Sequence, residues 1–148
     1  AGPVGKTLQD QITTLNNNFT YGIWTPTIKG STVAGNHTYM LQQGAYVKAG
    51  NMVTVSFEII IDVLDASASG KLNIGGLPFV PATDYYGVVG QIADVNLSTG
   101  YTGLGIKANG GNPNLILNLS GTATRTFATA SILKNGTTLR GQITYQVN

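Results

Sequence analysis

Few residues in this chain could carry acid–base or metal chemistry. Its six carboxylates are Asp10, Glu58, Asp62, Asp65, Asp84 and Asp94, and His37 is the single histidine. Glu58 and Asp62 share one face of a strand pattern, four residues and so roughly 13 Å apart. A retaining glycosidase holds its two carboxyls about 5 Å apart and an inverting one at most about 9.5 Å. The pair therefore reads as two solvated acids on an outer face. The chain has no cysteine, so no thiolate metal site or thiol chemistry is available. His37 sits in the turn sequence Gly35-Asn36-His37-Thr38, where a solvated side chain or a turn hydrogen-bonder is expected; only three-fold symmetry could gather several copies. Asp62 and Asp65 stand near a turn without the dense oxygen spacing of a calcium loop. The glycines open no helix as a phosphate loop would. No catalytic residue, no metal and no cofactor is expected, and the chain does not read as an enzyme.

What remains is binding chemistry. Trp24, Tyr39, Tyr46, Tyr85, Tyr86 and Tyr101 offer rings on which sugars stack, while loop Asn, Asp and Gln side chains pair with hydroxyls. The densest local group is Asp84-Tyr85-Tyr86, a carboxylate beside two aromatics after Pro81. Together with Tyr101 it is the candidate ligand site. The alternative is that these tyrosines close a loop over the core with their hydroxyls satisfied.

Composition narrows the partners. Eight Lys or Arg and six Asp or Glu give a formal net charge of +2 over 148 residues, and the basic residues are spread along the sequence. A nucleic-acid binder concentrates them on one stripe, so no nucleic acid is expected. No apolar run approaches the ~18 residues of a membrane-spanning helix, no secretory signal pattern opens the chain, and no membrane insertion is expected. Low charge with abundant Gly, Thr, Asn and Ser fits an extracellular or virion β-protein.

The elements that must position these residues centre on residues 52–64. Val53, Val55, Phe57, Ile59, Ile61 and Val63 fall on one face, and Thr54, Ser56, Glu58, Ile60 and Asp62 on the other. Such alternation of β-branched and aromatic residues is a strand with one face on a large core. A second strand follows at 71–74 and stops at the turn Gly75-Gly76-Leu77-Pro78-Phe79, where Pro78 removes a donor. Further strands are expected at 23–28 (interrupted by Pro26), 38–43 and 45–48 on either side of Gly44, 87–93, 101–108, 114–119 and 139–147. Asn109-Gly110-Gly111-Asn112-Pro113 and Asn135-Gly136 mark loops. About nine strands with turn signals every ~8–12 residues indicate an all-β antiparallel sandwich, most simply a jelly-roll-like one.

One helical pattern precedes them. Leu8, Ile12, Leu15 and Phe19 are spaced four, three and four apart, the rhythm of a short heptad stripe. Two readings stay open: a helix capping the sandwich, or the end of a trimeric coiled-coil stalk. The chain divides accordingly into 1–19, linker (residues 1–5, or a cloning remnant) and short helix, and 20–148, the β-sandwich head.

Several strings carry a family likeness. Gly22-Ile23-Trp24-Thr25-Pro26-Thr27, Gly30, Thr38-Tyr39, Gln43-Gly44-Ala45-Tyr46, Gly50-Asn51-Met52-Val53-Thr54-Val55, Gly75-Gly76-Leu77-Pro78-Phe79 and the closing Gly141-Gln142-Ile143-Thr144-Tyr145 resemble the C-terminal head module of bacteriophage tail fibres, tailspikes and neck appendages. The resemblance is specific over 21–79 and general beyond Tyr85. It implies a homotrimer of jelly-roll heads on the virion, at a tail or appendage tip. Such a head binds host cell-surface polysaccharide or teichoic acid, or else serves as a structural trimerisation and folding cap. It implies a packing role for Trp24, Pro26, Leu77, Pro78 and Phe79, and no enzymatic one.

Overall fold

The computed structural model describes residues 3–148, so Ala1 and Gly2 of the expected linker lie outside the described residues. Helix α1 (Pro3–Asn17) leads into ten strands: β1 (Phe19–Trp24), β2 (Thr27–Gly30), β3 (Thr38–Ala49), β4 (Met52–Val63), β5 (Leu72–Gly75), β6 (Tyr85–Ala93), β7 (Tyr101–Ala108), β8 (Leu115–Gly121), β9 (Thr126–Phe127) and β10 (Thr138–Gln146). Every strand pairing is antiparallel. The hydrogen-bonded order is β1-β3-β4-β10-β6-β7-β8-β5-β2, with β9 beside β8. The fold is an all-β, jelly-roll-like sandwich with a short N-terminal helix.

One strand joins the two layers. In β6, residues 85–88 pair with 105–108 of β7, while Val89, Gln91, Ile92 and Ala93 pair with Gly141, Arg140, Leu139 and Thr138 of β10. The register shift between Arg140 and Gly141 marks the bend. At the far ends of the path the curl is closed by side chains. Tyr39 on β3 accepts a hydrogen bond from the Ile28 N–H on β2 (3.1 Å), and Gln42 Nε2 donates to the Pro26 carbonyl (2.9 Å).

The central strand behaves as its alternation requires. Val53, Val55, Phe57, Ile59 and Ile61 are buried in β4, facing Ile28, Leu72, Ile74, Ile106, Leu115 and Leu117 from the other layer. Each such side chain contributes about 1.5–3 kcal/mol on burial. Val63, the sixth member of that face, is 54% exposed, because β4 overruns the core there. The expected strand at 23–28 is two strands in different layers. Thr25 and Pro26 pair with neither sheet and carry the chain across, Pro26 lacking the donor a continuous ladder needs. Residues 38–43 and 45–48 form a single strand, β3, with Gly44 inside it and bulges near Tyr39. Tyr85 and Tyr86 open β6, outside the loop in which they were expected.

Gly44 lies in β3 because an aromatic ring occupies the space of its missing side chain. It pairs with Trp24 across the ladder, and a Cβ there would meet the indole. Gly22 stands in the same relation to Tyr46, and Gly141 of β10 to Phe57 of β4. Cross-strand glycine–aromatic pairs cover backbone that glycine alone would leave bare. Trp24 Nε1 then donates to the carbonyls of Ala45 (3.2 Å) and Ser56 (3.0 Å). Behind these pairs, Tyr46 meets Phe79 edge to face at 5.3 Å, and buried Tyr145 donates its hydroxyl to the Phe79 carbonyl at 2.8 Å. Burial pushes the Tyr145 phenol up to about 12.

Candidate functional site

The four tyrosine-loop residues singled out by sequence do not form one site. Asp84 is occupied: its Oδ1 accepts from the Gly110 N–H at 2.9 Å and its Oδ2 pairs with Lys107 Nζ at 3.0 Å. The Gly110 bond, followed by Lys107, holds its carboxyl below the usual range. Tyr85 points inward, half-buried against the core, its hydroxyl 3.4 Å from Gln146 Oε1. Tyr101 stands at the other end of β7, six residues and so roughly 20 Å from Lys107. It too packs on the core and donates to the Thr124 carbonyl at 2.6 Å. Tyr86 alone presents its ring to solvent, 59% exposed.

Tyr86 stands where two depressions meet. On one side a shallow groove of about 710 Å3 runs between β6 and β10, lined by Val88, Gln91, Arg140, Gln142 and Thr144. Arg140 is held there by Glu58 (Nε to Oε2, 3.1 Å) and Gln91 (Nη1 to Oε1, 2.8 Å), and Thr144 by Thr54 at 2.7 Å. On the other side lies a pocket of about 220 Å3 lined by Lys107, Asn118, Arg125, Thr126 and Phe127. Lys107 Nζ and Arg125 Cζ lie 5.6 and 5.2 Å from the Tyr86 ring centre, and Lys71 Nζ lies 3.9 Å from that of Phe127. This is a ring edged on one flank by amides, a hydroxyl, Val88 and an Arg140 paired with Glu58, and on the other by cations.

Sequence reading reached Tyr86 and missed its neighbours. Lys107, Gln91, Gln142 and Thr144 occupy outward positions of strands whose alternation was visible, but only the register places them side by side. Arg125 and Phe127 belong to a stretch without period.

The heptad-stripe residues lie apart from this groove. Leu8, Ile12 and Leu15 are exposed on α1, and none is laid on the sandwich. Phe19, fourth in the stripe, is the first residue of β1, because the asparagine run ends the helix with the Asn18 N–H shared between the Thr14 and Leu15 carbonyls. The apolar run continues beyond it. Phe19, Tyr21 (85% exposed) and Ile23 (87% exposed) share the outer face of β1, with Val47 paired opposite Tyr21.

The remaining polar candidates are engaged locally. His37 is buried, its Nδ1 accepting the Asp65 N–H at 3.0 Å while Nε2 has no partner; burial lowers its pKa against the pull of Asp65. Asp65 accepts from the hydroxyl and the N–H of Ser67 and from the Asn36 N–H, which in that order hold it at about 2. No cluster of three His, Cys, Asp or Glu is present among the described residues, and no helix described is long and apolar enough to cross a membrane.

No protein-family model and no curated protein matches the chain. Among solved structures it is similar to the Dettilon tailspike protein (gp208), with a TM-score of 0.72 and 17% sequence identity over 88% of this chain. The likeness is one of fold. It spans 24% of that protein's length, so the module compares with a part of the tailspike.

Proposed function

We propose that this chain is the receptor-binding head of a phage tail fibre or tailspike, working as a homotrimer and attaching the virion to a host cell-surface glycan, either polysaccharide or teichoic acid. The observation that carries the reading is Tyr86, a solvent-facing ring at the junction of a polar groove and a cationic pocket, on a fold similar to that of a tailspike. A sugar ring stacks on such a face while its hydroxyls pair with Gln91, Gln142 and Thr144. The role is adhesion, without catalysis. The uncovered apolar residues of α1 and β1 support three-fold assembly. They also favour a second reading, in which the module is a trimerisation and folding cap without a ligand of its own.

The test is saturable binding of the labelled protein to a panel of bacterial strains, wild type against Tyr86→Ala. Losing a central aromatic contact costs about 2 kcal/mol, or ~30-fold in affinity. Binding to at least one strain that falls by this factor supports the receptor reading. If no strain binds, the cap reading takes its place; if the variant binds equally well, adhesion stands and Tyr86 is not its contact.

A further inference from the structure

We infer that the pocket beside Tyr86 is a subsite for the negative charge of an anionic glycan repeat, a phosphodiester or a uronate carboxylate. This deepens the adhesion reading and rests on it for the biological setting, though the charge chemistry stands separately.

Three cations converge on one outer patch of β6 to β9: Lys107 and Arg125 beside the ring of Tyr86, and Lys71 over Phe127. The sequence spreads its basic residues, so only the fold brings these together. The aromatic faces hold the cations in place without neutralising them. Of the three, only Lys107 has a carboxylate partner, Asp84. Arg125 and Lys71 form no ion pair among the described residues, so two positive charges are left without a counter-charge. The pocket is lined by Lys107 and Arg125, with Lys71 bordering it across the Phe127 ring; it is large enough for a phosphate or carboxylate, and a guanidinium is the donor that matches either in a two-pronged fashion.

The opposite flank decides what else the ligand carries. There the one cation in the lining, Arg140, is neutralised by neighbouring Glu58 at 3.1 Å. The remaining polar side chains of the groove are the amides of Gln91 and Gln142 and the hydroxyl of Thr144, beside exposed Val88. A ligand that follows both flanks is therefore a hydroxyl-rich chain with an intermittent charge. A second copy of this protein is a poor occupant, because the cores of protein interfaces are depleted in charge, whereas the outer face of β1 is apolar and lies on the other half of the sheet.

The experiment immobilises three polymers, poly(glycerol phosphate), polygalacturonate and uncharged dextran. Binding of the full protein is measured at low and high salt, with Arg125→Gln/Lys71→Gln as the variant and circular dichroism as the check on folding. The expected result is retention on at least one charged polymer, weakened about tenfold or more by the variant and by salt, with dextran bound weakly or not at all. The charged polymer retained identifies the source of the anion. Equal binding to dextran, no binding to either charged polymer, or charged binding unmoved by the variant overturns the inference. A parallel arm on whole cells separates the two readings. Cell binding that ignores both salt and the variant keeps the adhesion role and removes the anion subsite. Charge-dependent polymer capture without cell binding does the reverse.

Discussion

Replacing Gly44 by alanine tests whether the aromatic–glycine pairing holds β1 on the sheet. A Cβ at Gly44 would sit 2.7 and 2.8 Å from Cε2 and Cδ1 of Trp24, and closer still to Nε1. Carbon atoms prefer about 3.5–4.0 Å, so the ring has to withdraw by roughly 1 Å. It is not free to do so, because Nε1 is bound to two carbonyls at 3.0 and 3.2 Å and the residue is buried. Overpacking costs about 1–3 kcal/mol, and weakening the shared hydrogen bond about 1 kcal/mol more. The stiffer unfolded chain of alanine offsets about 0.4–1 kcal/mol. The expected loss is about 2 kcal/mol, which in a domain of this size lowers Tm by about 4–8 °C. Urea unfolding at fixed protein concentration measures it, since association shifts apparent stability. The same substitution on a Trp24→Leu background should cost less than about 0.5 kcal/mol, because the ring it strikes is gone. Full stability of Gly44→Ala alone, or an equal cost on both backgrounds, would refute the pairing as the reason for glycine here.

Tyr145→Phe removes the hydroxyl that satisfies the Phe79 carbonyl and should lower unfolding free energy by about 1–2 kcal/mol with an unchanged urea slope. Stability should fall with acid in two windows. The pKa of folded His37 lies below its ordinary 6.5, so the unfolded chain binds the proton more readily and stability declines as pH drops below that value. Asp65, held at about 2 against an ordinary 3.8, adds stability above the ordinary value that is lost as pH falls through its folded one. His37→Asn should erase the upper window alone in pH-dependent urea melts. On the proposed trimeric assembly, the triple change Leu8→Gln/Ile12→Gln/Leu15→Gln should lower the mass seen by light scattering toward the 15.4 kDa protomer while the β-type circular dichroism spectrum persists. An unaltered mass would remove α1 from the assembly interface.

The fold was legible wherever a period of two met a closed face. Met52 to Ile61 showed both its strand and its buried side, because nothing but a core could accept Val53, Val55, Phe57, Ile59 and Ile61 together. Where the chain changes layers the pattern misled. Residues 23–28 keep an apolar rhythm across Thr25-Pro26, and only the loss of pairing there shows that Trp24 and Ile28 lie in separate sheets. Gly44 read as an interruption because its partner, Trp24, sits on another strand, and the aromatic partners of Gly22 and Gly141, Tyr46 and Phe57, were out of view for the same reason. The site suffered from the same limit. Local density pointed to Asp84, Tyr85, Tyr86 and Tyr101, yet inward alternation took Tyr85, an ion pair took Asp84, and the length of β7 separated Tyr101. Lys107 and Arg125, which give the pocket its charge, and Lys71 across Phe127 lie far apart in sequence and were invisible before the strands were in register.

The placement of β10 governs how the molecule comes into being. Its neighbours β4 and β6 were made some eighty and fifty residues earlier, so both wait with a bare hydrogen-bonding edge until residues 138–146 leave the ribosome. Contacts this distant in sequence form slowly, and open edges are where unfinished chains stick to one another. Many copies emerging side by side face that exposure together, and the interval before the middle strand arrives is the period in which a holding partner would be of most use.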